Sequence, residues 1–215
     1  MEVREKNIPL WFLAPFVPMV LSQVVRLYQT TTEGWLIWDY SGRVAALLVL
    51  AVIPSARAIA FRRDALRTSW WETALWILAV FAFGPLIAKP FGHFVNVLIP
   101  HTQLGTYPDP HGSLLILDTT LGLALVAFHE EIVFRRCARF AFGRRFGNGL
   151  GMLLATSLLF ASYHWSAGIG NIASNFFFGL LAMTCLKRTG ALWPIVVAHY
   201  LIDAFLFYVL PALPQ

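Results

Sequence analysis

LVAFHEEIVFRR, residues 125–136, places two adjacent glutamates, a histidine and two arginines in an otherwise apolar run. Extended outward, the run covers 114–141, long enough for a membrane-crossing helix, which needs about 20 mostly apolar residues. An unpaired charge at the centre of a bilayer costs several kcal/mol. The stretch therefore predicts a transmembrane helix whose ionisable groups are either paired or functional.

The rest of the chain is of the same kind. Apolar runs recur at 8–28, 36–56, 70–88, 149–165, 171–187 and 192–210. Of the 215 residues, 58% are hydrophobic and 13% charged, against about 25% charged in ordinary soluble domains. Mean hydropathy is +0.67. The fold class that follows is an all-α, polytopic transmembrane helix bundle of about seven spans, with six to eight compatible with the boundaries. Pro85 and Pro90 are expected to end or kink the third helix. The N-terminal MEVREKNIPLWF lacks a clear small-residue cleavage site and reads as the start of a retained first helix.

Charge sets an orientation. Arg57, Arg62, Arg63 and Arg67 follow the second span, Arg135, Arg136, Arg139, Arg144 and Arg145 close the fourth, and Lys187 and Arg188 close the sixth. Segments 29–35 and 89–113 are nearly free of Lys and Arg. Seven spans with the N-terminus inside put all three basic clusters on the cytoplasmic side. The net charge of +5 thus reflects loop placement, and no nucleic-acid partner is expected. The lipid bilayer is. Connection 89–113, with His93, His101 and His111, should hold turns and a short interfacial helix, its histidines scattered rather than ligating. Cys137 and Cys185 fit neither a disulfide framework nor a zinc spacing. No internal linker divides the chain; it reads as one membrane domain, with residues 1–112 preceding a helix core at 113–215.

Helical geometry sorts the polar groups inside the spans. Glu131 and Arg135 are four apart and can pair, as can His199 and Asp203. Glu130 is turned about 100° from Glu131, so one glutamate can meet the arginine while the other faces elsewhere. Depth offers a second test. Glu130 lies 17 residues before Gly147 and His164 lies 17 after it. In an antiparallel hairpin turning there, both sit about 25 Å from the turn. His199, about nine residues from the KRTG turn, matches that level less well. Asn171 and Asn175 are expected to make helix–helix hydrogen bonds. A carboxylate and an imidazole at one level could hold and deprotonate a water for attack on a carbonyl. A second imidazole could stabilise the oxyanion. Serine and cysteine catalysis lack support, since no G-x-S-x-G elbow is present and Cys137 has no identifiable base.

Three motifs in order resemble one family. EEIVFRR (131-I-V-F-R135 after Glu130), FASYH ending at His164, and HYLID from His199 to Asp203 are similar to the E-E-x-x-x-R, F-x-x-x-H and H-x-x-x-N/D motifs of the CPBP family. That family comprises CAAX prenyl endopeptidases and bacteriocin-processing (Abi-type) enzymes, and the resemblance covers about residues 120–208. It implies a glutamic intramembrane endopeptidase that needs no cofactor or metal and cuts a membrane-associated protein or peptide, in the cytoplasmic half of the membrane and near the substrate's C-terminus. Glu130 would be the general base, with His164 helping to hold the water. Glu131 and Arg135 would support them, and His199 and Asp203 would occupy the oxyanion-stabilising positions. Asp203 stands where the prenyl-endopeptidase branch has asparagine, and an ionised aspartate cannot donate a hydrogen bond. This favours a prokaryotic-type branch and a bacterial cytoplasmic membrane.

Two other readings stay open on the residues alone. One is a metal-dependent protease using Glu130, His164, His199 and Asp203 as ligands, although no H-E-x-x-H helix is present. The other is a non-enzymatic scaffold or transport protein with these groups along an ion path.

Overall fold

The computed structural model describes residues 7–211, which are helical with no strand among them. Arg4 and Lys6, part of the expected cytoplasmic N-terminus, lie outside the described residues. The helices are α1 (Leu10–Arg26), α2 (Thr32–Val52), α3 (Pro54–Ala60), α4 (Trp70–Leu98), α5 (Gly112–Phe146), α6 (Leu150–Tyr163), α7 (Ile169–Thr189) and α8 (Trp193–Val209). Every apolar run has its helix. Four of them, α2, α4, α5 and α7, are long and apolar enough to cross a membrane, and α1, α6 and α8 are shorter apolar helices. The chain is a multi-pass membrane protein.

Local chemistry sets the ends. Thr31 caps α2 by accepting from Gly34 N at 3.1 Å. Ser69 and Glu72 form a reciprocal capping box at the start of α4. Gly190 ends α7 with φ +75°, a left-handed position that suits glycine, behind Lys187 and Arg188 in the last turn. The prolines do not end α4. Its backbone widens into a π-helical turn at Gly84–Ala88, which takes in Pro85, and the helix continues to Leu98. Residues 89–98 of the expected loop are therefore helix, and only 99–111 is irregular. At 35 residues, α5 spans about 53 Å at 1.5 Å per residue. It runs well past a bilayer core of about 30 Å, as the depth of Glu130 required.

The two ends of the bundle differ. At one, the basic connections lock together: Arg136 pairs with Asp64 and donates to Ala60 O at 2.7 Å. Arg67 N donates to Thr189 O at 2.7 Å, Leu192 N to Asp64 Oδ2 at 3.0 Å, and Lys187 Nζ to Asn148 O at 2.8 Å. At the other, the strap 102–107 is tied down on both sides. Leu104 N and Gly105 N donate to Ser166 O at 2.9 and 3.1 Å, and Thr102 Oγ1 accepts from Ile169 N at 3.0 Å. Tyr107 donates to the fully buried Asp118, which also accepts from Tyr40 and Tyr208. The Tyr107 ring stacks on Phe207, with centroids 4.3 Å apart.

Two predictions arise here. Gly92 and Gly170 let α4 and α7 touch, because a Cβ on Gly170 would strike the Gly92 carbonyl and the Asn96 side chain. Gly170→Ala is expected to cost about 1–3 kcal/mol through overpacking, read as a lower unfolding temperature in detergent. Asp118→Leu strands three tyrosine hydroxyls. At roughly 1–3 kcal/mol each, it should destabilise strongly and make 99–111 the first site of limited proteolysis. Unchanged cleavage in that segment would show that the cluster does not anchor the strap.

Candidate active site

Residues 131–135, 137 and 138 are packed beneath Glu130. The π-helical segment Glu131–Cys137 interrupts α5 directly after Glu130. Such widened turns put an extra residue into the helix and re-aim the side chains on either side. Glu131 and Arg135 are both 0% exposed and meet as an ion pair, Nε to Oε2 at 3.1 Å, without hydrogen-bond geometry. The guanidinium instead lies over the Phe160 ring, 4.1 Å from its centroid, a cation–π contact in a dry interior. Glu131 uses its other oxygen to accept from His199 Nδ1 at 2.8 Å.

His164 stands one residue beyond the end of α6, where helix carbonyls lack partners. Its Nδ1 donates to one of these, Phe160 O, at 2.9 Å. With the Nδ1 protons of both histidines committed to acceptors, each neutral ring presents a bare Nε2. Both point at one atom: Glu130 Oε2 lies 3.8 Å from His164 Nε2 and 3.9 Å from His199 Nε2, and has no hydrogen-bond partner among the described residues. Asp203 Oδ2 is 3.5 Å from His199 Nε2, one turn along α8. All six residues singled out in the sequence thus meet in one cluster, and the equal depths of Glu130 and His164 hold.

Glu130 differs from expectation in one respect. It is not the unpaired glutamate of the two, because Arg43 of α2 donates from Nη1 to its Oε1 at 2.7 Å. Asp39, one turn earlier on α2, accepts from Arg43 Nε at 2.8 Å and pairs with Arg26 of α1. His129 Nδ1 lies 3.3 Å from Arg43 Nη1. The N-terminal helices therefore reach the centre of the site. Asp39 and Arg43, four apart within the apolar run 36–56, were the sequence signal for it.

Glu130, His164, His199 and Asp203, with Arg43, line a cavity of about 470 Å³. Glu130 is 2% exposed, while the His164 side chain is 22% exposed, so the cavity reaches the carboxylate past that imidazole. Asn171 and Asn175 line its wall and bond to each other along α7 instead of across helices, with Asn175 Nδ2 donating to Asn171 O at 2.9 Å. The helix–helix role falls to Asn96, which accepts from Gly170 N at 2.9 Å. Of the three loop histidines, His111 lies 3.7 Å from the exposed Asp109. Among the described residues no group of three His, Cys, Asp or Glu side chains is arranged to hold a metal ion. Cys137 and Cys185 are free and buried.

Residues 112–205, from the start of α5 to the last turns of α8, match the family model described as type II CAAX prenyl endopeptidase Rce1-like. This region resembles that family. The match is consistent with the CPBP resemblance of the three motifs. It leaves out α1–α4, and hence Arg43 and Asp39. No curated protein and no solved structure matches the chain.

Proposed function

We propose that this protein is a glutamic intramembrane endopeptidase in which Glu130 activates the attacking water. The observation that carries this reading is the unpartnered Glu130 Oε2 facing two imidazole Nε2 atoms at 3.8 and 3.9 Å. A water about 2.8 Å from each of two such atoms bridges them with ordinary hydrogen bonds. It would donate one proton toward Glu130 and the other toward His164 Nε2, leaving an oxygen lone pair for the scissile carbonyl. Glu130 takes the proton as the water adds and returns it to the departing amine, so the carboxylate is restored.

His199 serves the developing oxyanion. Glu131 fixes its ring through Nδ1, and in the doubly protonated form Nε2–H is the donor that an oxyanion needs. Glu131, Asp203 and Glu130 would then surround that cation with counter-charge. Asp203 acts by orienting and compensating His199 rather than by donating itself. Arg135 acts through Glu131, and Arg43 by holding Glu130 Oε1 so that Oε2 is the free oxygen. The halves 1–112 and 113–215 work as one catalytic unit on this reading, because α2 supplies Arg43. The substrate is a membrane-associated protein or peptide, cut near its C-terminus if the likeness to CAAX endopeptidases extends that far. With the basic connections in the cytosol, the start of α1 is cytoplasmic too, since Trp11 stacks on Phe140 near them.

The test needs no guessed substrate. Membrane-protein termini are compared by mass spectrometry in a host lacking the chromosomal copy and expressing wild type or Glu130→Gln. A terminus generated by wild type alone is expected, and it would name the substrate. Identical termini in the two strains would refute the base assignment.

A further inference from the structure

The cavity has a floor and a mouth, and charge tells the two ends apart. Its deepest lining groups are Glu130, His164 and His199, and directly below Glu130 residues 131–135, 137 and 138 of α5 are each no more than 1% exposed and line none of it. Beyond it lie the basic connections and the helix ends that flank them: Arg62, Arg63 and Arg67 follow α3, Arg144 and Arg145 stand in the last turn of α5, and Lys187 in the last turn of α7. None of the described residues that line the cavity belongs to those connections. The mouth is built from the other end: Leu27 after α1, Gln103 and residues 105–107 of the strap, and Ser166 and Ala167 between α6 and α7. Among the described residues, the cations that border the cavity besides Arg43 are Arg26, paired with Asp39, and Lys89, midway along α4. Connections 27–31, 99–111 and 164–168 contain no Lys or Arg at all.

From this segregation we infer that substrate reaches Glu130 from the face opposite the basic connections, which is the extracytoplasmic face. The inference rests on the cavity being the active site. It gives the substrate a class: a membrane-anchored peptide whose scissile segment lies on the extracytoplasmic side of its anchor, as opposed to a tail presented in the cytosol. Depth and access are separate matters. Glu130 is six residues from Arg136, about 9 Å along α5, so the carboxylate sits toward the basic half. The packed segment below it closes that short route, and the longer route past His164 is the open one.

The mouth has the chemistry to receive an unfolded strand. A peptide drawn out of its helix within a membrane must satisfy each N–H and C=O from the protein. Asn175 Nδ2 donates to Asn171 O and Oδ1, which leaves Asn171 Nδ2 as a donor and Asn175 Oδ1 as an acceptor on the cavity wall. Gln103 and Thr106 on the strap border the same space. The strap itself is held by Ser166 and Asp118, so the mouth keeps its shape without substrate.

The experiment is thiol accessibility in the full-length protein, which requires no catalysis. The native Cys137 and Cys185 are buried, and both are replaced by alanine to remove background. Thr106→Cys reports the strap, Asn171→Cys the cavity wall and Asn148→Cys the basic end. Each is exposed in intact cells to a small membrane-impermeant methanethiosulfonate, then again after permeabilisation. The expected result is modification at Thr106→Cys and Asn171→Cys in intact cells, and at Asn148→Cys only after permeabilisation. The reverse pattern would overturn the inference by inverting the protein. Modification of Thr106→Cys from outside but of Asn171→Cys only after permeabilisation would overturn it by showing a cavity open to the cytosol. Failure of the protease reading registers separately, as unchanged termini with the labelling pattern intact. If both readings hold, the fragment cut by wild type is recovered outside the cytosol and is missing with Glu130→Gln.

Discussion

Glu130→Gln is expected to yield a folded, membrane-inserted protein whose turnover falls by about 10²–10⁴-fold, the usual weight of a general base. The substitution separates charge from shape. A glutamine amide oxygen still accepts from Arg43 Nη1, which now approaches Glu130 Oε1 at 2.7 Å, so the side chain keeps its place. At the position of Oε2 an NH₂ group replaces a proton acceptor, and it donates toward His164 Nε2 instead of receiving from water. Arg43 keeps Asp39 as a counter-charge, so no cation is left alone in the interior. The unfolding temperature in detergent should therefore move little while the rate collapses. Glu130→Asp is the companion. It keeps the base but draws it back by one methylene from both imidazoles, and intermediate activity is expected. A rate that falls only in proportion to the folded fraction would mean that Glu130 is structural and that the water is activated elsewhere.

Much of this site could be read before any coordinates, because its parts lie on few elements with regular spacing. Counting 17 residues either side of Gly147 put Glu130 level with His164, and their reactive atoms are 3.8 Å apart. The same count failed for His199, and the reason is physical. The turn between α7 and α8 is sunk into the protein: Thr189, Ala191 and Leu192 are at most 4% exposed, bonded to the 61–69 connection through Arg67 and Asp64. Residue counts measure depth only when the turns stand at equal height.

The Glu130–Arg43 contact was not legible because it joins residues 87 positions apart on helices with no shared spacing. Local pattern could reveal that Asp39 and Arg43 are neighbours, but not which carboxylate the arginine meets. The wide turns were equally hidden. Nothing in EIVFRRC distinguishes a π-helical segment from an α-helical one, and an i,i+4 rule brings Glu131 and Arg135 together in either. The asparagine pair on α7 was misassigned for a related reason. Spacing of four permits a bond within the helix as readily as a partner across it, and the cavity beside α7 removed the partner.

Arg43→Gln is expected to be the most destabilising single change in the site, and its pairing with Glu130→Gln gives the sharper test. Removing one member of a buried ion pair leaves the other uncompensated, at a cost of about 3–5 kcal/mol. Glu130 would be that remaining charge, since among the described residues only Arg43 donates to it and the Glu130 side chain is 3% exposed. Arg43→Lys would not restore the arrangement, because one ammonium cannot reproduce the fork that engages Asp39 and Glu130 together. Turnover by Arg43→Lys should fall with KM nearly unchanged, as a displaced base slows chemistry without altering the cavity wall. The double variant Arg43→Gln/Glu130→Gln removes both charges of the pair. It should recover much of the stability lost in Arg43→Gln while remaining inactive, a coupling that a double-mutant cycle of unfolding free energies measures directly. If the double variant is no more stable than Arg43→Gln, the arginine's weight lies in its Asp39 contact and α2 is only scaffolding. Recovery of stability without recovery of activity would put α2, outside the Rce1-like match, among the elements that hold the catalytic carboxylate.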